Sequence, residues 1–195
     1  KKTITLINNS DGRRVDLHIY SPYPLSEIQR VMGARADAHY KGRVEYEDLP
    51  RAFRGGDAML LPLDFSKETI KYIRLSMLTK ATEFMITGRP IFLYAPPDVA
   101  VSEYLLSHDA AYLATTERSL RDSIVEFVED LEMRRRIATN ALRLAEECHL
   151  SEPVGERLRC LMVGCCEARQ ESAANTRNQS HAKQEFANKK AGESP

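Results

Sequence analysis

The sequence contains no tryptophan and only four cysteines, and its 28 Lys and Arg residues are balanced by 28 Asp and Glu residues. The cysteines, at positions 148, 160, 165 and 166, form no C-x-x-C pair, so neither a zinc site nor a dithiol redox motif has the required spacing. Because the net charge is zero, no overall field attracts nucleic acid or an anionic membrane, and we predict no nucleic-acid partner. Any anion site must therefore be local.

Long hydrophobic runs are missing as well. No apolar stretch approaches the roughly 18 residues expected of a membrane-spanning helix, and no signal peptide opens the chain. We therefore expect a cytoplasmic protein that is at most peripheral at a membrane. The first residue is Lys and not Met, which favours a piece of a longer parent chain.

The last 29 or so residues differ in composition from the rest of the chain. From Glu167 to Pro195 the only large apolar residue is Phe186, among Ala, Asn, Gln, Ser, Lys, Arg and Glu. Such a segment cannot bury enough surface to offset the entropy of ordering. We predict one domain over residues 1–166 and a disordered tail over 167–195.

Strand and helix patterns alternate along residues 15–166. Short apolar or alternating runs predict strands at Val15–Tyr20, Val44–Tyr46, Ala58–Leu63, Pro90–Tyr94 and Ala110–Ala114. Helical patterns begin near Pro24, Leu49, Thr79, Val101, Glu117 and Ser151, with a break near Asp130, and a polar loop is expected before Thr79. The alternation predicts an α/β fold, a Rossmann-like parallel sheet with helices on both faces.

The first ten residues allow two interpretations. Residues 3–6 alternate like a strand, but Leu6 and Ile7 also suit the end of a helix that leads into the Asp11-Gly12 turn. We favour the helix, in which case the chain begins partway through a β-α-β unit and lacks the strand that should precede it.

A candidate ligand site lies at the start of the predicted helix at Thr79. In parallel sheets ligands bind beyond the carboxyl ends of the strands, and Thr79 could cap the helix whose free amides favour an anion. Lys80 adds a positive charge, and one turn later the Glu83 carboxylate could accept hydrogen bonds from both hydroxyls of a ribose. Alternatively, Glu83 merely forms an ion pair with Lys80.

The run from Thr79 to Ile91 resembles the S/T-K-x-x-E-Y-x-A-x-G-x-P-V-I motif of GT-B glycosyltransferases, in the carboxyl-terminal half of retaining enzymes that use nucleotide sugars. Neighbouring pieces agree in order: residues 57–62 resemble the A-D-x-x-L-x-P strand, and Tyr40–Val44 the G-x-V strand entry. Residues 130–141 resemble the D-P-E-L-R-x-R-x-x-x-N-A helix pair. The resemblance covers about Val15 to Met162 and implies that this chain is one half of a GT-B fold.

By that resemblance, Lys80 and Arg74 would stabilise the donor diphosphate catalytically, and Glu83 would hold the ribose. Nucleotide-sugar binding would also involve Thr79, Ser76, Tyr72, Arg43 and Val44. The donor would be a nucleoside diphosphate sugar, no metal or other cofactor would be required, and the acceptor would be a glycan or a lipid-linked glycan. For Arg74 the alternative is a surface ion pair with Glu68 or Asp64.

The chain also departs from the family pattern. The first of two glutamates that such enzymes place eight residues apart is Leu75 here, and the glycine-rich loop of the family has no counterpart. The acceptor-binding N-terminal domain is absent from these 195 residues and would belong to the parent chain.

The resemblance implies a hexosyltransferase in the full-length protein, with this piece inactive alone. Two other functions stay open: a catalytically inactive nucleotide-binding or interaction module, and a sugar epimerase on the GT-B plan. We give little weight to a receiver-type signalling domain, because Asp57 lies at the start of its strand and not at the carboxyl end.

Overall fold

A computed structural model describes residues 15–33 and 38–164. The chain divides into two compact units, with the boundary between Glu147 and Cys148. All the strands in the described part belong to the first unit, and all of them run parallel to their neighbours. The predicted α/β class with parallel strands is therefore confirmed. Our interpretations of the first ten residues and of the tail at 167–195 lie outside the described residues.

Seven helices of the described residues are labelled here in chain order. They are α1 (Leu25–Met32), α2 (Leu49–Arg54), α3 (Lys67–Ile73), α4 (Thr79–Met85), α5 (Ala100–Ser107), α6 (Glu117–Glu129) and α7 (Leu131–Cys148). The predicted break near Asp130 is confirmed: Asp130 follows the last residue of α6, and its Oδ1 accepts a bond from the Met133 N–H at 2.8 Å. This carboxylate satisfies an amide in the first turn of α7.

A three-stranded parallel sheet holds the core of the first unit. Its strands are β3 (Met59–Pro62), β4 (Ile91–Tyr94) and β5 (Tyr112–Ala114), with β4 in the centre. Ile91, Phe92 and Leu93 are all buried although consecutive side chains point to opposite faces. Both faces of β4 are therefore covered, as expected for a parallel strand.

One face of this sheet packs on the last two helices of the unit. Phe92 lies in a buried cluster with Phe127 of α6 and Ile137 of α7, and the Phe92 and Phe127 ring centroids are 5.2 Å apart at 76°. Edge-to-face contacts of this kind contribute beyond the area they bury. The helical spacing recognised in residues 120–144 thus marks the side of α6 and α7 that covers β4.

A second sheet has only two strands, β1 (Leu17–Tyr20) and β2 (Ala38–Gly42). We call this pair the ribbon. None of its residues is buried, and its register shifts between Ile19 and Tyr20. Our prediction of a single sheet needs correction for the described residues, because β1 shares no ladder with the three-stranded sheet.

Two local predictions were wrong. The strand expected at Val44–Tyr46 lies earlier, because Gly42 takes a left-handed φ of 78° at the end of β2 and the chain then turns into a 3-10 helix over Tyr46–Asp48. The polar loop expected before Thr79 contains α3, whose N-cap is Ser66. A helix this short has only Ile70 and Ile73 on its inner side, too few to give a visible period.

The second unit is described as far as residue 164. Residues 151–164 are helical, as predicted, and large apolar side chains stay exposed along them, among them Val154, Leu158, Leu161 and Met162. Across the described ranges, no helix combines the length and apolar character that crossing a membrane demands.

Candidate functional site

Helix α4 presents the predicted site residues on its solvent side. Ala81 and Met85 are fully buried, and a turn of 100° per residue puts Thr79, Lys80 and Glu83 on the opposite side. The phase of the apolar residues therefore determines which side chains of α4 can meet a ligand.

Two contacts with α2 hold α4 in place. Phe84 meets Phe53 edge to face, with ring centroids 5.5 Å apart, and the Arg89 guanidinium donates a 2.8 Å bond to the carbonyl of Arg54. That carbonyl ends α2, where a cation is favourable. Phe84 is four residues after Lys80, so this contact lies beside the side of α4 that carries Lys80.

The start of α4 differs from the prediction. Leu78 is the N-cap residue, with extended backbone, and no side chain caps the helix. Thr79 is already the first helical residue, so the expectation that its hydroxyl caps α4 was wrong. The hydroxyl at this end that does form a bond is that of Thr82, which donates to the Thr79 carbonyl at 2.7 Å.

Asp64, whose carboxylate accepts hydrogen bonds from two hydroxyls, follows the carboxyl end of β3. Asp64 accepts bonds from the hydroxyls of Ser66 at 2.6 Å and Thr69 at 2.8 Å. These bonds, the Ser66 hydroxyl first, lower the pKa of Asp64 below 3.8. The sequence alone suggests Asp64 only as an ion-pair partner for Arg74. The D-x-S-x-x-T spacing, in which Ser66 caps α3, could have indicated this turn.

The segment between α3 and α4 is tied down at one point by its backbone. The Ala100 N–H, at the start of α5, donates to the Arg74 carbonyl at 2.8 Å. Ser76 Oγ donates to the Tyr72 carbonyl at 3.1 Å, so the Ser76 hydroxyl already has a hydrogen-bond partner four residues earlier in the chain. The Tyr72 side chain is 83% exposed. Arg74 is held through its main chain, and its guanidinium stays exposed.

The charged groups of Arg74, Lys80 and Glu83 form no ion pair or side-chain hydrogen bond with any other residue in the described ranges. The Lys80–Glu83 pair that the sequence left open is not formed among them. Arg74 likewise pairs with neither Glu68 nor Asp64. Two cations and one half-buried carboxylate are therefore available to a ligand.

The two residues predicted beside the nucleobase follow the ribbon. Arg43 pairs with Glu45, with Nε to Oε1 at 3.1 Å and the second guanidinium nitrogen to Oε2 at 3.3 Å, while Val44 is half-buried. No hydrogen bond in the described part of the chain connects Arg43 to α4. The structure thus brings Lys80 and Glu83 together on one helix, while the hydrogen bonds of the Arg43 guanidinium go to Glu45.

A shallow concavity of about 460 Å³ lies elsewhere, along the second half of α6. Its lining contains one cation against four carboxylates: Arg121, Asp122, Val125, Glu126, Glu129 and Asp130. This surplus of negative charge repels a diphosphate.

Two residues of the D-P-E-L-R-x-R-x-x-x-N-A resemblance have a structural role. Arg136 Nε donates to Asp109 Oδ2 at 2.6 Å, and the Asn140 amide donates to the Asp109 carbonyl and carboxylate at 3.1 Å each. Asp109 has a left-handed φ of 49°, uncommon for a residue other than glycine. Arg136 and Asn140 therefore hold the strained turn between α5 and β5.

Comparison with known proteins adds no assignment: neither a protein-family model nor a curated protein sequence matches the chain. Within residues 15–33 and 38–164, no group of three or more His, Cys, Asp or Glu side chains is arranged to hold a metal ion. The geometry around α4 is therefore the basis on which a function can be assigned.

Proposed function

We propose that the chain is the donor-nucleotide half of a GT-B glycosyltransferase, which transfers a sugar from a nucleoside diphosphate sugar to a glycan or lipid-linked acceptor. The observation that carries the proposal is the set of Arg74, Lys80 and Glu83 charges, unpaired within the described residues, next to a parallel sheet. Ligands of such sheets bind beyond the carboxyl ends of the strands.

In this proposal the diphosphate meets Lys80, Arg74 and the amides of Thr79 and Lys80, which no side chain caps. The fork of Arg74 can bind two phosphate oxygens at once, and Lys80 contributes a compact charge. When the bond between the sugar and the diphosphate breaks, the leaving group keeps the electron pair. The two cations would stabilise the charge that develops on it. The Glu83 carboxylate would accept the ribose hydroxyls.

The acceptor site would come from an N-terminal domain of the parent chain, so that this chain alone binds the donor without turning it over. Thr79, Ser76, Tyr72, Arg43 and Val44 keep their predicted binding roles as part of the proposal. Arg43 would have to exchange its Glu45 partner for the nucleotide, since the pair is fully formed in the structure.

Leu75 gives a specific reason to consider a second function, an inactive nucleotide-binding module. Its side chain, where related motifs carry a glutamate for the donor sugar, is 90% exposed. A leucine accepts no hydrogen bond from a sugar hydroxyl. An epimerase on the same plan is a further alternative, because fold does not determine the reaction.

Calorimetric titration with UDP, GDP and their sugars tests the proposal. We expect one nucleotide to bind, and Glu83→Gln and Lys80→Ala each to weaken it by about tenfold, the effect of losing one charge-assisted hydrogen bond. Glu146→Gln and Arg143→Ala are matched controls, because both residues are exposed on α7.

Equal binding by wild type and Glu83→Gln would place the ribose elsewhere and contradict the proposed site. If no nucleotide binds to this chain or to the parent protein, the donor function is wrong. Binding of the free nucleotide diphosphate without any gain from an attached sugar would favour the inactive module.

A further inference from the structure

Helix α3 and the two residues after it carry an exposed surface that combines cations with large apolar side chains. We define the α3 surface as Lys67, Lys71, Tyr72, Arg74 and Leu75. Tyr72 and Leu75 are 83% and 90% exposed, more than any other large hydrophobic residue of the described chain. Burying either side chain against an apolar surface would release free energy that is not gained while the side chain is exposed to water.

The helical phase puts Lys67, Lys71 and Leu75 on one side of α3, with Arg74 and Tyr72 at its two margins. Ile70 and Ile73 are half-buried on the inner side of α3. Lys67, Lys71 and Arg74 follow one another at spacings of four and three residues, which places them in one row on the outer side. Leu75 is four residues after Lys71 and so lies next to that row, with Tyr72 beyond it.

The cations of the α3 surface are available to a partner. Lys67, Lys71 and Arg74 form no side-chain hydrogen bond or ion pair with another described residue. Of the nearby acids, Asp64 is occupied by the hydroxyls of Ser66 and Thr69. Glu68 is a single exposed opposing charge within the α3 surface, three residues before Lys71 and four before Tyr72. The row of cations is therefore locally positive although the chain is neutral.

We propose that the α3 surface docks on an anionic lipid membrane, with Leu75 and Tyr72 inserted at the interface and Lys67, Lys71 and Arg74 against the headgroups. A lipid surface stabilises this combination, because basic residues are attracted to anionic headgroups while an adjacent leucine and tyrosine enter the interfacial layer. Protein interfaces are depleted in lysine, which makes a protein partner a poorer match for two lysines among five residues.

This proposal does not depend on nucleotide binding, because Lys67 and Lys71 have no part in the donor site and the Leu75 side chain offers a nucleotide sugar no hydrogen bond. Arg74 and Tyr72 belong to both proposals, so the test leaves them unchanged. Peripheral docking would hold the residues that follow β3 close to a lipid-borne substrate without any spanning helix.

Vesicle co-sedimentation of the full chain tests the proposal, with phosphatidylcholine alone and with phosphatidylcholine mixed with phosphatidylglycerol. We expect binding to the anionic vesicles only, weakened by added salt because exposed charges are screened. Leu75→Ser should reduce partitioning by about tenfold or more, as expected from losing one buried leucine. Lys67→Ser and Lys71→Ser should each reduce it about fivefold.

Matched controls separate this surface from others. Leu131→Ser changes another exposed leucine, at the start of α7, and Arg143→Ser another exposed cation, and both should sediment like wild type. Circular dichroism of every variant verifies folding, which these exposed positions should not disturb. Glu83→Gln should retain vesicle binding, so that failure of the nucleotide proposal is recognised separately.

Three outcomes would overturn the proposal. The first is no binding to anionic vesicles, and the second is binding that Leu75→Ser and the lysine variants leave unchanged. The third is self-association by light scattering that Leu75→Ser abolishes in the absence of vesicle binding, which would assign the α3 surface to a second copy of the chain.

Discussion

The three-stranded sheet and the ribbon are both parallel, but only the three-stranded sheet contains buried residues. In β4 the residues Ile91, Phe92 and Leu93 are at most 5% exposed, whereas every residue of the ribbon is at least partly exposed. An isolated two-stranded sheet has little stability of its own in water. Strand direction alone therefore says little about which part of this protein holds the fold.

The comparison also separates the two groups of predicted site residues. Lys80 and Glu83 stand on a helix that packs through Ala81 and Met85 in the core, so their backbone is fixed. Arg43 and Val44 follow the ribbon, whose own core contacts are few. We therefore expect diphosphate and ribose recognition to be largely preformed and nucleobase recognition to need ordering of the ribbon.

The largest expected effect on the free energy of unfolding comes from making the same substitution, leucine to alanine, in each sheet. Leu93→Ala removes a fully buried side chain from the centre of β4 and should lower the free energy of unfolding by about 2–5 kcal/mol. Leu17→Ala, in half-buried β1, should cost about 1 kcal/mol or less. Urea unfolding monitored by circular dichroism measures both, and equal losses would mean that the ribbon shares the core.

A smaller effect comes from removing one hydroxyl in each region. Tyr112 in β5 donates a 2.7 Å bond to Glu126, and Tyr40 in β2 donates a 2.6 Å bond to the carbonyl of Tyr23. Tyr112→Phe should lower the free energy of unfolding by about 1 kcal/mol. Tyr40→Phe should leave it nearly unchanged, because the ribbon can open locally before the core unfolds. Thermal unfolding of both variants decides this, and a greater loss for Tyr40→Phe would contradict it.

The smallest expected effect is on the pKa of Asp64, the carboxylate that follows β3. The Asp64 pKa is lowered in the folded state, so its contribution to stability is present above the unfolded-state pKa and is lost as the pH falls through the folded-state value. Thr69→Val removes one donor and should move the Asp64 pKa upward toward 3.8. Carboxyl titration by NMR tests the shift, and an unchanged pKa would show that the Thr69 bond is not formed in solution.

How far the sequence predicted this fold depends on the length of each pattern. The long helical period from Leu120 to Leu144 was found together with its break at Asp130, because many buried residues repeat there. The seven residues of α3 carry too few apolar positions, and the end of β2 depends on a backbone angle at Gly42. Whether such short segments form a helix or a strand is decided by their tertiary contacts.

The candidate site was predictable only in part. Spacing placed Lys80 and Glu83 on one side of a helix, and the structure agrees, but the N-cap residue is Leu78 and not Thr79. The contact between Arg136 and Asp109 joins residues 27 positions apart, which no local pattern reveals. Whether Arg74 meets a phosphate is also a question of three-dimensional contact and stays a prediction.

The central claim is that a nucleoside diphosphate binds next to the three-stranded sheet, at the start of α4. The most direct test is to record amide NMR spectra of the ¹⁵N-labelled chain while UDP or GDP is added. We predict saturable shifts centred on the amides of residues 76–83, with Arg143 and Glu146 of α7 unchanged. Shifts confined to the ribbon, or no shift with either nucleotide, would contradict the account.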